Sequence, residues 1–167
     1  MDYAFKPGIG LGAITFSQTP SEIVETFGKP DLHRTEKGID CETIYMNYDN
    51  LGIHLTFVFI DNHESDLQIH THKLIYNQQD WYDLKKPELL KVIESLYKEQ
   101  DLNFQFDYEL YEYDTYNEEE YSFEDIGVTV WFKSDKANNI CLSVPDKELK
   151  TADKVELEYS KELRFVV

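Results

Sequence analysis

The chain contains one ten-residue motif twice, as Tyr48-Asp49-Asn50-Leu51-Gly52-Ile53-His54-Leu55-Thr56-Phe57 and later as Phe123-Glu124-Asp125-Ile126-Gly127-Val128-Thr129-Val130-Trp131-Phe132. Position by position, both copies read aromatic, acidic, Asn or Asp, aliphatic, glycine, β-branched, polar, aliphatic, variable and phenylalanine. The first half of the motif is typical of a turn, and the alternation after the glycine indicates a β-strand with one buried face. A motif that recurs at a fixed spacing predicts two related halves. The alternative is that unrelated strand–turn–strand units share the motif by chance.

Two segments upstream of the two copies predict helices. The first begins after the N-cap candidate Thr19, carries Glu22 where a capping box requires it, and ends at Gly28. The second spans about Pro87 to Tyr97. Pro20 and Pro87 open the two predicted helices. Their separation along the chain is eight residues shorter than the separation between the two copies of the motif. We expect the additional residues in an acidic, tyrosine-rich insertion of the second half.

The remaining chain reads mostly as strands and predicts an α+β fold. The expected strands are Thr43–Tyr48, Ile53–Ile60, Leu67–Ile75, Phe104–Tyr113, Val128–Phe132 and Ile140–Val144, with Val155–Tyr159 and Leu163–Val167 in the tail. Two tandem repeats, each a helix plus an antiparallel meander, are expected to merge into one curved antiparallel sheet with the helices on one face. The first repeat covers 1–80, the second covers 81–145 with the insertion, and 146–167 supplies C-terminal edge strands, all in a single compact unit.

Composition narrows the classes of partner and compartment. The 167 residues include 33 acids and 16 bases, which gives a formal net charge of −17. Such a charge repels nucleic acids and anionic membranes, so neither is expected as a direct partner. The chain shows no signal-peptide pattern and no apolar run near the ~20 residues that a bilayer requires. Cys41 and Cys141 make neither a disulfide framework nor a CxxC motif. We therefore expect a cytoplasmic protein with reduced cysteines and no cofactor.

The most unusual stretch is residues 99–132, which hold eleven acids and five tyrosines but no lysine or arginine. Like charges in a block are often only a solvated hairpin, yet disordered acidic segments seldom carry this many tyrosines. Tyrosine supplies contact area at low entropic cost, and the acids would steer a basic partner. In a strand, Tyr111 and Tyr113 would face one side and Glu112 and Asp114 the other, and the strand edge is also a candidate for strand addition by a partner. The predicted partner-binding residues are Glu109, Tyr111, Glu112, Tyr113, Asp114, Tyr116, Glu118, Glu119, Glu120 and Tyr121.

Catalytic chemistry finds little support in the sequence. His70 and His72 lie two apart in a predicted strand and would share a metal only if a third ligand, such as Asp66, converged. The polar face of any strand carries such residues, so we predict no metal site. No Gly-x-Ser-x-Gly elbow occurs, and neither cysteine lies at a predicted helix start where its pKa would fall. We predict no catalytic residues and expect that the chain is not an enzyme.

The first helix segment carries a family resemblance. Its residues are Phe16, Thr19-Pro20, Glu22, Val24, Phe27 and Gly28-Lys29-Pro30. The segment resembles the opening of BamE-like and β-lactamase-inhibitor-protein-like repeats, which pair a short helix, closed by a Gly-x-Pro turn, with a curved antiparallel sheet. The second half departs from that pattern, because no Gly-x-Pro follows Tyr97.

The tandem arrangement and the acidity also resemble the immunity proteins of bacterial polymorphic toxin and contact-dependent growth inhibition systems, which are small, cytoplasmic and often acidic. We therefore predict an immunity protein that binds and neutralises a basic toxin domain, such as a nuclease, through its acidic, tyrosine-rich surface. Two alternatives stay open. One is a DNA mimic that inhibits a DNA-binding protein and needs carboxylates at phosphate spacing along an elongated face. The other is a small metal-dependent enzyme that uses His70 and His72.

Overall fold

The computed structural model describes residues 1–60, 63–113 and 116–145. Two helices and an eight-stranded antiparallel sheet make up most of these residues, which confirms the α+β class. The helices are α1 (Pro20–Phe27) and α2 (Lys86–Glu99). The sheet strands are β1 (Leu32–Lys37), β2 (Cys41–Tyr48), β3 (Ile53–Ile60), β4 (His63–Thr71), β5 (Asp107–Glu112), β6 (Asn117–Phe123), β7 (Val128–Lys133) and β8 (Lys136–Leu142).

Shorter elements precede each helix. Phe5–Lys6, Gly10–Leu11 and Ile14–Thr15 form a small three-stranded sheet before α1, and Ile75–Tyr76 pairs with Gln79–Asp80 before α2. Single 3₁₀ turns occur at Asp49–Leu51, Trp81–Asp83 and Glu124–Ile126. The strands expected in the C-terminal tail lie outside the described residues.

The eight strands follow the order β5-β6-β7-β8-β4-β3-β2-β1. Each half of the chain therefore contributes a four-stranded antiparallel meander, and the two meanders meet where the last strand of one pairs with the last strand of the other. At this seam Cys141 lies opposite His70, flanked by the pairs Ile140–Thr71 and Leu142–Ile69. Since the last strands pair, the first strands β1 and β5 lie at the two ends of the sheet.

Both helices begin with the same capping arrangement. The backbone N–H of Thr19 donates to the Glu22 carboxylate at 2.8 Å, and the backbone N–H of Lys85 donates to the Glu88 carboxylate at 3.0 Å. A glutamate three residues into a helix thus binds an otherwise unsatisfied backbone donor at each start. Helix α1 ends at Gly28, whose φ of 82° favours glycine. The predicted first helix is confirmed, and α2 extends beyond its predicted bounds at both ends.

The repeated motif has a physical cause in both halves. In each copy of the motif the 3₁₀ turn is followed by a glycine in a left-handed conformation, with φ of 59° at Gly52 and 64° at Gly127. The carbonyl of Gly52 accepts a hydrogen bond from the His72 N–H at 3.1 Å, and that of Gly127 accepts one from the Ser143 N–H at 2.9 Å. The turn therefore joins the start of the third strand of each meander to the end of the fourth.

The additional residues of the second half lie before the first strand of its meander. Helix α2 has 14 residues whereas α1 has 8, so part of the difference lies in the helix itself. The first strands of the two meanders, which begin at Leu32 and Asp107, are already separated by the same offset as the two copies of the ten-residue motif. A longer helix and a longer connection, residues 100–106, take up the difference, and Asp107–Phe123 forms the first hairpin of the second meander.

One face of the sheet forms the core together with the helices. Alternate strand residues such as Met46, Leu55, Ile69 and Val130 are buried in the same apolar cluster as Ile23 of α1 and the α2 residues Leu89, Ile93, Leu96 and Tyr97. Each such side chain contributes about 1.5–3 kcal/mol through its removal from water. We call this side the helix face. The opposite side, which we call the open face, carries half-buried polar and aromatic side chains. Neither described helix is long and apolar enough to cross a membrane.

Candidate functional site

The predicted partner-binding residues that the structure describes gather in one hairpin. Strands β5 and β6 form this acidic hairpin (residues 107–123) at one end of the sheet. Tyr113 follows β5 and Tyr116 precedes β6; the Tyr113 N–H donates to the Tyr116 carbonyl at 2.9 Å, and the two rings are 4.7 Å apart. Asp114 lies outside the described residues.

The register of the hairpin divides these residues between the two faces of the sheet. Because Phe123 and Val130 are buried on the helix face, the alternate residues of β6 and their cross-strand partners belong to the open face. The open face carries Glu109, Tyr111, Glu118 and Glu120, whereas the helix face carries Tyr108, Leu110, Glu112, Glu119 and Tyr121. Tyr111 and Glu112 lie on opposite faces as expected, but Tyr111 shares its face with three glutamates.

Three open-face residues form a hydrogen-bonded cluster that we call the acidic triad: Glu109, Tyr111 and Glu120. The Tyr111 hydroxyl lies 2.9 Å from Glu109 Oε2 and 3.1 Å from Glu120 Oε2. The indole N–H of Trp131 donates to the same Glu120 oxygen at 2.8 Å, and the Ser122 hydroxyl lies 3.3 Å from the other one. A hydroxyl has one hydrogen, so Tyr111 can donate to only one carboxylate at a time.

The acidic triad holds two negative charges that no base of the described chain neutralises. No lysine or arginine of the described residues forms an ion pair with Glu109 or Glu120. Partial burial, the hydrogen bond to Glu109 and the charge of Glu120 together raise the pKa of Tyr111 well above its ordinary value, so the hydroxyl stays protonated. The hydroxyl and the indole therefore fix the Glu120 carboxylate in position without cancelling its charge.

The corresponding cluster at the other end of the open face is neutral. The offset between the two copies of the ten-residue motif relates the acidic triad to three residues of the first half: Arg34 corresponds to Glu109, Glu36 to Tyr111 and Tyr45 to Glu120. The pairing across strands corresponds as well, because Arg34 lies opposite Tyr45 and Glu109 lies opposite Glu120. Arg34 forms an ion pair with Glu36, the Tyr45 hydroxyl donates to Glu36 at 3.1 Å, and the guanidinium lies 5.9 Å from the Tyr45 ring centroid. The charges of Arg34 and Glu36 therefore cancel each other at this end of the open face. The spacing of the repeated motif already relates these two sets of residues, but no local pattern in the sequence marks them as a pair.

Two other predicted residues are engaged within the protein. Glu119 forms a salt bridge with Lys86 at the start of α2. Partial burial is the largest single influence on Lys86 and lowers its pKa, but the hydrogen bond to Glu119 and the interactions with Tyr121 and the Glu119 charge together outweigh burial and raise the pKa of the ammonium group. The Lys133 ammonium lies 3.7 Å from the Tyr116 ring centroid, a cation–π contact that covers one side of that ring. Of the three consecutive glutamates, Glu118 and Glu120 form no ion pair among the described residues, although Lys133 lies opposite Glu118 in the β6–β7 register.

A polar cavity of about 520 Å³ lies on the open face beside the seam between the two meanders. Its lining includes His54, His70, His72 and Asn139. The His70 ring stacks on Trp131 with centroids 6.0 Å apart, and its Nδ1 lies 3.3 Å from the Asn139 amide. Burial lowers the pKa of His70, which the Asn139 contact only partly offsets, so this imidazole is neutral near pH 7. Trp131 links the cavity to the acidic triad, a role that the sequence did not indicate.

The histidines do not assemble a metal centre in the part of the chain that the structure describes. His70 and His72 share the open face, and His54 lies opposite His70 with its ring 5.8 Å from that of His72. No group of three His, Cys, Asp or Glu side chains among the described residues is placed to hold a metal ion. A polar stripe on the open face accounts for these residues.

No family model, curated protein or solved structure matches this chain.

Proposed function

We propose that the protein is an inhibitor of the immunity type, which acts in the cytoplasm by binding and neutralising a basic toxin domain, such as a nuclease. It binds through the open face of the acidic hairpin and catalyses no reaction. The observation that carries this proposal is the acidic triad: two carboxylates are held around one hydroxyl without a base, whereas the equivalent cluster at the other end of the sheet contains its own arginine.

An arginine of the partner fits the chemistry of the acidic triad. The guanidinium group is planar, always charged and presents five N–H donors, so it can contact two carboxylates at once. Hydrogen bonds to charged groups contribute about 1.5–3 kcal/mol each. A guanidinium between Glu109 and Glu120 would supply the positive charge that Arg34 supplies at the other end of the open face.

The overall charge supports a basic protein as the partner. A net charge of −17 raises the rate at which a basic surface encounters the chain and disfavours acidic partners. Enzymes that cleave nucleic acids bind phosphates with lysine and arginine, and the same side chains can bind carboxylates. An acidic inhibitor therefore competes for the surface that such a toxin presents to its substrate.

The inhibitor is preferred over a DNA mimic because of where the uncompensated acids lie. On the open face of the described residues they concentrate at the β5–β6 end, where Glu109, Glu118 and Glu120 form no ion pair, while Glu36 at the opposite end is paired. A mimic of duplex DNA needs regularly spaced charges along an elongated surface. A concentrated patch instead suits one compact basic surface.

We also propose that the two halves are tandem copies of one helix-plus-meander unit, of the kind suggested by the resemblance to BamE-like and β-lactamase-inhibitor-protein-like repeats. Three features support a common origin. Both helices begin with a glutamate that caps the preceding N–H, both meanders contain a 3₁₀ turn closed by a left-handed glycine, and both carry a three-residue cross-strand cluster at the same positions.

The test co-expresses this protein with the basic toxin domain that the proposal expects a neighbouring reading frame to encode. The protein should protect cells from that toxin and bind it directly in calorimetry. Glu109→Gln combined with Glu120→Gln removes two charged contacts, so affinity should fall by on the order of 100-fold. Glu36→Gln is the matched control, since it alters the paired cluster at the other end of the sheet. Wild-type affinity in the double variant, or an equal loss in the control, would remove the acidic triad from the interface.

A further inference from the structure

The outer edge of β5 is protected against pairing by its three acids, but it carries no lysine, proline or bulge. Natural edge strands are protected by charged side chains, especially lysine, and by proline, bulges or short length. Strand β5 reads Asp-Tyr-Glu-Leu-Tyr-Glu and pairs with β6 in a continuous register over six residue pairs. The ladders between β7 and β8 and between β3 and β4, in contrast, each contain an irregularity. Among the described residues the outer side of β5 pairs with no strand, and an edge with a regular ladder behind it can accept a strand of a basic partner.

An exposed apolar stripe runs along the same edge. Phe104, Phe106, Tyr108 and Leu110 alternate along the chain and are 38%, 42%, 50% and 44% exposed. Six of the eleven large apolar residues that are exposed in the described chain lie between Phe104 and Tyr116. Scattered exposed apolar residues are common, but a concentration on one strand and the residues next to it is typical of an interaction site.

The two sides of β5 differ in chemistry. Tyr108 and Leu110 lie on the helix face next to Phe106, whose ring is 5.1 Å from that of Tyr121. Asp107 and Glu109 lie on the open face with the acidic triad. A second copy of this chain is a poor occupant, because pairing two β5 strands would place acid against acid with no base between them. The occupant must be basic on one side and apolar on the other.

We propose that β5 receives an extended segment of the partner as a ninth strand of the sheet, and that this segment alternates basic and apolar residues. The inference rests on the proposed function, because it assigns the same basic partner to the same hairpin. Main-chain hydrogen bonds along β5 hold the segment in place. With a side-chain period of two, its basic residues face Asp107 and Glu109 and its apolar residues cover Tyr108 and Leu110.

Two synthetic peptides of about ten residues test this mode of binding. One alternates lysine and valine, and the other contains the same residues as a lysine block followed by a valine block. The alternating peptide should bind at least about 10-fold more tightly and should slow hydrogen exchange of β5 backbone amides. Equal affinities with unchanged exchange in β5 would overturn strand addition but leave the basic-partner proposal standing. If neither peptide binds at low salt, both proposals fail.

A matched pair of variants separates the apolar stripe from the charge. Tyr108→Ser combined with Leu110→Ser keeps every acid, and both residues are exposed, so the fold should be retained. This variant should lose about 10-fold in affinity for the alternating peptide and none for the block peptide. Leu32→Ser, at the other edge of the sheet and 45% exposed, should change neither affinity. An unaffected double variant would show that the stripe takes no part and would refute the proposed register.

Discussion

The substitution Glu109→Arg should give the acidic triad the basic side chain that it lacks. Glu109 lies opposite Glu120, as Arg34 lies opposite Tyr45, so the new side chain can reach a half-buried carboxylate that Tyr111 and Trp131 already hold. The substitution exchanges a repulsion between two carboxylates for an attraction. We therefore expect the protein to become more stable and, at the same time, to lose its partner.

The magnitudes follow from the exposure of the site. Ion pairs near the surface contribute about 0.2–1 kcal/mol after solvent screening, which corresponds to a rise in Tm of roughly 1–4 °C for a chain of this size. Binding should weaken by on the order of 100-fold, because one carboxylate is lost and the other is occupied. Thermal unfolding measures the first quantity and calorimetry with the toxin domain measures the second.

Glu25→Arg, at an exposed position of α1, is the control for Glu109→Arg. It makes the same change of charge outside the acidic hairpin. In about 0.5 M salt, where long-range steering is screened, the control should bind nearly as the wild type does. The reasoning is refuted if Glu109→Arg lowers the Tm, or if both variants lose affinity equally in high salt.

Three further outcomes are expected. Glu119→Gln should reduce the free energy of unfolding by up to about 1 kcal/mol at pH values below the ordinary lysine pKa. The loss should become smaller as the pH rises through the raised pKa of Lys86, which denaturation at several pH values would show. No loss at neutral pH would mean that the salt bridge does not stabilise the fold. Because burial lowers the pKa of His70, the imidazole takes up a proton in the unfolded chain at a higher pH than in the folded one, so the free energy of unfolding should fall as the pH drops below 6.5. In denaturant titrations, His70→Gln should make the free energy of unfolding less dependent on pH in this range. An unchanged pH dependence would contradict this prediction. Gly127→Ala should destabilise the fold by more than about 2 kcal/mol, since the new Cβ would lie 2.0 Å from the Ser143 carbonyl oxygen. Gly52→Ala should cost only about 1 kcal/mol, because its Cβ meets only the His72 side chain at 3.5 Å. Equal losses in Tm for the two variants would contradict this difference.

Local signals in the sequence predicted much of the fold. The capping box at Thr19 and Glu22, the glycine after each 3₁₀ turn and the alternation of β3 depend on neighbours along the chain, and each lies where we expected it. These features need no tertiary information, because short-range hydrogen bonds and period-two burial determine them.

Two strands and the division of the hairpin escaped prediction because their causes are long-range. Strand β1 is exposed along nearly its whole length, so it has no buried alternation to detect. Strand β6 contains Glu118, Glu119 and Glu120, residues of low strand propensity, and is held in place by β5 on one side and β7 on the other. Which glutamates face which side followed only from that register. The link from Glu120 through Trp131 to His70 joins the consecutive strands β6 and β7 to β4, which belongs to the other half of the chain.

Hydrogen exchange of the protein in complex with its basic toxin domain tests the central claim most directly. We predict slowed exchange in the acidic hairpin, strongest along β5, with β1 and β2 unchanged at the opposite end of the sheet. Protection confined to β1 and β2, or no change within residues 107–123 when the toxin is bound and neutralised, would contradict a basic partner at this hairpin.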